Sequence, residues 1–269
     1  MYTLNTGYSS RQIFIKSDNA TYTLDGISNS VYFFKEHISV FNNMTILLSL
    51  VDAQIPMSYY VVTSKNQLLD YTVNSVNYQY NIDIGNPNIT DIVNELNLNL
   101  TNLTASYDTK TNKLTFVSSF TFSLNSNSTC FKFIGFTDGT HDSIANSLTS
   151  DSVCNLAGTK SIYVMIPNLH NVNIDNRTGA SSSCLVKIPA TAMSNGILKY
   201  TNKSGHKVMI TDKTINYIQI ILQDDDENTI DLNNQHYSMT FQIDFIYREK
   251  FKPDIVETPD TEMTDINKK

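Results

Sequence analysis

The sequence predicts an all-β protein, and more narrowly a single jelly-roll antiparallel β-sandwich that carries one short amphipathic helix. Two features lead to this prediction. Apolar and polar residues alternate along many short segments, as they do in strands with one buried face. Turn-forming residues separate these segments at short intervals, without the alternating strand and helix patterns of a parallel sheet. A chain of 269 residues, 41% of them hydrophobic, suits one sandwich with a sizeable core.

The clearest strand pattern lies in two apolar runs near the C-terminus, Ile215–Leu222 and Met239–Tyr247. The acidic, Asn-rich link between them, Gln223 to His236, is too long for a tight hairpin, whose loops usually have about two to five residues. We therefore predict that the two strands lie in opposite sheets and face each other across the core. The facing side chains are Ile218, Ile220 and Leu222 on the first strand and Phe241, Ile243 and Phe245 on the second.

Further strands are predicted in chain order from apolar runs that end at turn residues or at proline. They are Val31–Val40, Met44–Ile55, Ser58–Thr63, Gln67–Val73, Val76–Ile84, Ser106–Asp108, Leu114–Val117, Ser161–Ile166, Leu185–Ile188, Ile197–Tyr200 and Lys207–Ile210. The last two are expected to pair with each other around Asn202–Gly205. Phe131–Phe136 is a compact apolar piece, whereas His141–Ala157 and Asn168–Ser183 are predicted loops.

The two ends of the chain differ from its middle. Residues 1–26 are polar and weakly patterned, apart from the apolar piece Ile13–Ile15, and are predicted to form an extended arm that a neighbour must hold. Residues 248–269 are charged, contain proline and are predicted to form a flexible tail. Residues 27–247 form the predicted jelly-roll domain.

One segment has a helical period. In Asn88–Leu100 the apolar residues recur three and four positions apart, which predicts a short amphipathic helix lying on the sandwich. Asn88 is suited to cap its first turn, Asp91 follows three positions later, and Pro87 comes just before.

Charge and composition restrict the classes of function. A net charge of −7 and a pI near 5.1 disfavour binding of nucleic acid, which needs clustered Lys and Arg. The longest apolar run, Met44–Val51, is far shorter than the roughly 20 residues of a membrane span. Cys130, Cys154 and Cys184 are odd in number and widely spaced, which favours free thiols in a reducing compartment. We expect a soluble intracellular product.

Catalytic chemistry is not predicted. The five histidines show no metal-binding spacing, and we expect them in loops or on the surface; they are His37, His141, His170, His206 and His236. The acidic run Asp224–Glu227 could attract Ca²⁺, but it lacks the spacing of a calcium loop, and a solvated turn is the stronger interpretation. Nucleophile-elbow and phosphate-loop motifs are absent from the sequence. We predict a protein that is not an enzyme and binds no metal or cofactor.

Six sequence blocks, taken in order, resemble a known family. They are DAQIPMSYYVVTSKNQ (52–67), NPNITDIVNELN (86–97), YDTKTNKLTF (107–116), FKFIGF (131–136), KIPATAMSNGILKYTN (187–202) and IQIILQDDDENTIDLNNQHYSMTFQI (218–243). This succession resembles the minor capsid, or penton, proteins of virophages, Polinton-like elements and related large DNA viruses. The resemblance covers roughly residues 30–247.

The resemblance implies a non-enzymatic structural protein of the virion, a single jelly roll of eight strands. It implies homopentamers at icosahedral vertices, contact with a double jelly-roll major capsid protein and with other minor capsid proteins, and assembly in the host cytoplasm. Two alternatives remain on the same fold. A lectin-like carbohydrate- or receptor-binding module predicts an exposed aromatic platform or bound Ca²⁺. A cupin-like or hydrolytic enzyme predicts a bound metal.

Overall fold

The computed structural model describes residues 8–170, 173 and 182–247, and antiparallel strands dominate them. The strands are β1 (Tyr8–Lys16), β2 (Tyr22–Thr23), β3 (Asn29–Ser39), β4 (Met44–Pro56), β5 (Leu68–Val73), β6 (Val76–Asn81), β7 (Thr104–Asp108), β8 (Lys113–Val117), β9 (Phe122–Leu124), β10 (His141–Asp142), β11 (Ser147–Thr149), β12 (Ser161–Met165), β13 (Cys184–Pro189), β14 (Ile197–Thr201), β15 (Val208–Ile210), β16 (Thr214–Gln223) and β17 (Ser238–Tyr247). The α-helices are α1 (Ile89–Asn99) and α2 (Phe131–Ile134), and Ser17–Asn19 forms a 3-10 turn.

Two sheets pack face to face as a jelly-roll sandwich, as predicted. Sheet I has the strand order β1-β17-β4-β14, and β15 also pairs with β4. Sheet II has the order β13-β12-β16-β3-β2. Their inner faces share one hydrophobic core, in which Ile46, Leu48, Val164, Ile220 and Phe241 are wholly buried.

The prediction that β16 and β17 lie in opposite sheets is confirmed. β16 pairs with β3 and β12 in sheet II, whereas β17 pairs with β1 and β4 in sheet I. The six side chains predicted to face each other are all buried in the shared core. Each strand has one strongly apolar face, and the long link lets the chain cross one end of the sandwich, so both faces reach the same core.

The predicted pairing of β14 with β15 is wrong. β14 pairs with residues 52–56 of β4, and β15 pairs with residues 46–48 farther along the same edge. β4 is 13 residues long, so its edge accommodates two short strands in series. Between them, the Asn202 N–H donates to the Val51 carbonyl oxygen at 2.9 Å. Each short strand therefore gains hydrogen bonds from a long central strand.

The predicted arm, residues 1–26, contains a regular strand, which corrects the expectation of an extended arm there. β1 pairs with β17 along its whole length, and Ile15 is buried in the sandwich core. The strand pattern is weak because β1 is an edge strand, with Gln12 and Phe14 exposed. Residues 1–7 and the predicted tail, residues 248–269, lie outside the described residues. The domain boundaries of the chain stay a prediction.

The residues between β4 and β12 form a second hydrophobic core. We call this part of the chain, residues 62–156, the inserted unit. β5, β6, β9 and β10 form one of its sheets, and β7, β8 and β11 form another. Leu69, Ile92, Leu114 and Ile134 are wholly buried in its core, a cluster distinct from that of the sandwich. Its strands have the same period of two as those of the sandwich, so periodicity could not separate the two units.

Helix α1 begins as predicted. The Asn88 side chain accepts from the Asp91 N–H at 3.0 Å, and the Asp91 carboxylate accepts from the Asn88 N–H at 3.1 Å. This reciprocal pair satisfies two backbone donors at the helix start. Ile92 and Leu96 pack into the core of the inserted unit. The helix and its cap are confirmed, but its predicted position on the sandwich is wrong.

Three further segments differ from the prediction. Ser58–Thr63 is no strand but the connection into the inserted unit, where Val62 makes an isolated bridge with Gly85. The compact piece Phe131–Phe136 contains α2, which ends at Gly135. Gly135 has a φ of +89°, and a Cβ there would lie 2.5 Å from the Ser152 carbonyl oxygen. The predicted loop His141–Ala157 contains the short strands β10 and β11.

We predict that Ile220→Ala lowers the free energy of unfolding by about 2–5 kcal/mol, because it leaves a cavity between the two sheets. Ile221→Ala is the matched control, since the neighbouring side chain points to the outer face and is only half-buried. We expect it to cost less than about 1 kcal/mol. Urea denaturation measures both, and equal losses would contradict the assigned register of β16.

Candidate functional site

The five histidines do not converge. His37 and His206 are exposed, His170 lies 3.1 Å from an Asp212 carboxylate oxygen, and His236 contacts the sandwich next to β17. His141 instead packs edge-on against an aromatic ring of the inserted unit. Across residues 8–170, 173 and 182–247, no group of three or more His, Cys, Asp or Glu could hold a metal ion.

The acidic run of the β16–β17 link is a structured turn in which the carboxylates of Asp224, Asp225 and Asp226 have hydrogen-bond or ion-pair partners. One Asp224 oxygen accepts from the N–H groups of Asp226 and Asn228 at 2.9 and 2.8 Å. The Asp226 carboxylate forms an ion pair with Lys132 of α2. The interpretation as a turn is supported, and the turn also joins the sandwich to the inserted unit.

Asp225 ties the same turn to the start of β12. Its Oδ2 accepts from the Thr159 hydroxyl at 2.9 Å and from the Lys160 and Ser161 N–H groups at 2.6 and 3.2 Å. Partial burial opposes ionisation of this carboxyl group, but the three hydrogen bonds outweigh it and lower the pKa of Asp225. Asp225 thus holds the link at the start of β12, and Asp226 holds it to the inserted unit. We call the acidic link with these contacts the electrostatic strap.

Cys130 and Cys154 are free thiols. Burial raises the pKa of Cys130 to about 12, and it also raises the pKa of Cys154. Thiols held in the protonated form are poor nucleophiles, so these two residues fit structural roles.

A cleft of about 480 Å³ lies where the ends of β1, β4 and β17 meet. Met57 and Tyr237 are buried at its wall, whereas Lys16, Gln54 and His236 are exposed at its rim. Its full lining is Lys16, Asp18, Gln54, Pro56, Met57, Ser58, Asn195, Gly196, Ile197, Gln235, His236, Tyr237 and Ser238. This mixture of amide, charged and apolar groups suits a polar organic ligand such as a sugar.

A second cleft, of about 290 Å³, lies between the sandwich and the inserted unit. Asn86 bridges its two sides, donating from Nδ2 to the Ser194 hydroxyl at 3.0 Å and to the Tyr59 carbonyl at 3.2 Å. Next to these contacts Met193 is 87% exposed. The junction of the units therefore combines polar bridges with an apolar side chain open to solvent.

Aromatic side chains form a ladder on the outer face of sheet II, which we call the aromatic ladder: Tyr22, Phe33 and Tyr217. Phe33 lies opposite Tyr217 in the register, with ring centroids 5.1 Å apart, and Tyr22 lies 6.3 Å from Phe33. Phe33 is 53% exposed. Alternation places these rings outside the core, so they stabilise the sheet and remain available for contacts.

Two further exposed apolar clusters lie on other parts of the surface. Phe41, Ile246 and Tyr247 lie at one end of the sandwich, because Tyr247 pairs with Met44 and the Met44 N–H bonds to Phe41. Val117, Phe120 and Ile144 are exposed on the inserted unit, where Val117 pairs with Ser147 and Ser147 bridges to Ile144, and we call them the tip cluster. Contiguous exposed apolar surface is typical of protein contacts. No sequence pattern predicted these clusters, since each joins residues distant in the chain.

Among solved structures, the chain is similar to the crystal structure of the selenomethionine-labelled mavirus penton protein. The two chains are 12% identical, and the match covers 88% of this chain and 99% of that chain, with a TM-score of 0.46. No family model and no curated protein matches the sequence. Within the described residues, no helix is long and apolar enough to cross a membrane.

We predict that Asp225 titrates below the value of about 3.9 that is usual for aspartate. Because its pKa is lowered in the folded state, its stabilising contribution is present above the unfolded pKa and is lost as the pH falls through the folded pKa. Carboxyl ¹³C shifts against pH measure the titration directly. Asp225→Asn keeps the shape and removes the charge, so it should flatten the acid limb of the stability curve. A normal titration of Asp225 would contradict the strap.

Proposed function

We propose that this protein is a structural subunit of a viral capsid, and specifically the minor capsid, or penton, protein that forms homopentamers at icosahedral vertices. Its proposed neighbours are a double jelly-roll major capsid protein and other minor capsid proteins. It would act in the virion capsid after assembly in the host cytoplasm. Such a role requires a stiff core and large lateral faces, and it does not require a catalytic site.

The observation that carries this proposal is where the six resembling blocks fall in the fold. Three blocks contain the end of β4 with the connection into the inserted unit, the end of β13 with β14, and most of β16 with its link and the first part of β17. The other three form α1, the β7–β8 hairpin and α2. The blocks thus contribute strands, helices and connections to both units and their junction, and this placement favours a role in architecture.

The distribution of exposed apolar side chains supports assembly. A closed ring uses two different faces of each subunit, which must match each other. The aromatic ladder lies on the outer face of sheet II, and the tip cluster lies on the inserted unit. Two such surfaces on one chain meet the basic requirement of a head-to-tail contact.

A second function, lectin-like carbohydrate or receptor binding, is favoured by one specific observation. The 480 Å³ cleft has the polar groups that sugar hydroxyls need, and Met57 provides an apolar wall. The two functions are compatible in one protein, since the cleft and the aromatic ladder involve different residues.

We predict that the purified chain forms a pentamer of about 150 kDa, five copies of a 30.3 kDa chain. The pentamer forms either from the chain alone or when the major shell protein is added. Phe33→Ser and Ile144→Ser each alter one of the two surfaces, and at least one of them should yield monomers. Leu98→Ser is the matched control, because this side chain is 84% exposed but belongs to neither surface. Sedimentation velocity measures all four proteins. A wild-type monomer at high concentration, unchanged by the shell protein, would contradict the proposal.

A glycan array, read with calcium and with chelator, tests the second function. Specific binding that Gln54→Ala abolishes would support the cleft as a sugar site. Gln12→Ala, at an exposed position outside the cleft, is the control. If the protein binds no glycan on the array, the carbohydrate function is contradicted. The capsid proposal is not affected by that result.

A further inference from the structure

The outer edge of β6 in the inserted unit is open. β6 is the last strand of its four-stranded sheet, and only its other edge is paired, with β5. A two-residue turn joins these strands, so Val73 and Val76 form the closing hydrogen-bonded pair and the two kinds of pair then alternate. Asn77, Gln79 and Asn81 therefore point their backbone N–H and C=O groups away from β5. No hydrogen bond links these outward groups to a described residue, and all three residues are exposed.

Several other strand edges are protected. In the inserted unit, the Asn97 amide closes the edge of β7: the Ala105 N–H donates to Asn97 Oδ1 at 2.7 Å, and Asn97 Nδ2 donates to the Ala105 carbonyl oxygen at 2.9 Å. The edge strands β1, β13 and β14 each carry an exposed basic residue, which discourages strand addition: Arg11, Lys187 and Lys199. β6 has neither protection, since no charged residue and no proline lies between Asp70 and Asp83.

The sequence of this open edge is self-complementary. From Asn77 to Asn81 the chain reads NYQYN, which is the same in both directions. When two such strands pair antiparallel about Gln79, Asn77 lies opposite Asn81 and Gln79 lies opposite its own copy. The residues with outward backbone groups then face one another, and each such pair exchanges hydrogen bonds. Tyr78 and Tyr80 form the intervening pairs, in which side chains lie closest and aromatic contacts add stability.

Contacts within the inserted unit already hold β6 in strand geometry. Gln79 Nε2 donates to the buried Asp70 carboxylate at 2.9 Å. The Tyr80 hydroxyl donates to a carboxylate oxygen of helix α1 at 2.7 Å. The Tyr78 ring stacks on Tyr71, with centroids 5.4 Å apart. Because these side chains are ordered beforehand, the strand loses little conformational entropy when another strand pairs with it.

We infer that β6 is a self-association surface and that its partner is β6 of a second copy of this chain. The two strands run antiparallel about a twofold axis at Gln79 and join two sheets into one. Such a contact is isologous, so it is distinct from the head-to-tail contacts of the proposed ring and links chains of different rings. A single pair of short strands buries little surface, so the contact is weak between lone chains and gains strength when several copies act together.

Disulfide formation in the full chain tests this register. Gln79→Cys places two thiols opposite each other at the twofold axis, with Cα atoms about 5.5 Å apart, which a disulfide can span. Asn81→Cys is the matched control, because it lies on the same exposed edge but about 13 Å from its own copy. Under mild oxidation we expect Gln79→Cys to form covalent dimers at least about tenfold faster than Asn81→Cys. Peptide mapping separates this link from links of the native cysteines.

A second pair of variants keeps the Gln79 side chain in place. Chains with Asn77→Cys or Asn81→Cys should each stay unlinked alone, whereas their mixture should give dimers joined through positions 77 and 81. Linking at 79 in a chain that never forms pentamers would support this inference and contradict only the proposed ring. Pentamers in which 79 does not link would overturn this inference and leave the proposed ring standing. Equal rates at 79 and 81, or links from 79 to Cys154 or Cys184 of another chain, would overturn it as well.

Discussion

The apolar layer between the two sheets is the constraint on which the rest of the structure depends. β16 and β17 each have one strongly apolar face, and because the strands lie in opposite sheets the two faces are buried in the same core. The connection between them must then cross one end of the sandwich. The burial of the two strand faces therefore places the carboxylates of the link at this end of the sandwich. There they bond to Thr159, to the N–H groups of residues 160 and 161, and to Lys132.

Through the electrostatic strap, the acidic link helps to join the two units. The inserted unit has its own core and is joined to the sandwich by the segments that precede it and follow it in the chain. Lys132 and Asp226 form an exposed ion pair, which contributes little by itself. The Asn86 bridges and the three hydrogen bonds to Asp225 add directional contacts. Polar contacts of this kind fix orientation more than they add stability.

Local features could be predicted from the sequence, whereas non-local ones could not. The cap of α1, the strands β7 and β8, and the opposite placement of β16 and β17 follow from residues close in the chain or from a link too long to be a hairpin. The series arrangement of β14 and β15 depends on the length of a strand some 150 residues away, and short strands carry no mark of their partner. The clefts and apolar clusters likewise join distant residues. For the acidic run, the sequence predicted a turn but not the donors that it binds.

The position of the six blocks in the framework fits the proposed architectural function. Electron cryo-microscopy of the chain assembled with a double jelly-roll shell protein tests this account most directly. The account predicts density for five copies around each fivefold axis, with the sandwich and the inserted unit both resolved in every copy. Closed shells whose vertices are filled without this chain, or in which it decorates other positions, would contradict it.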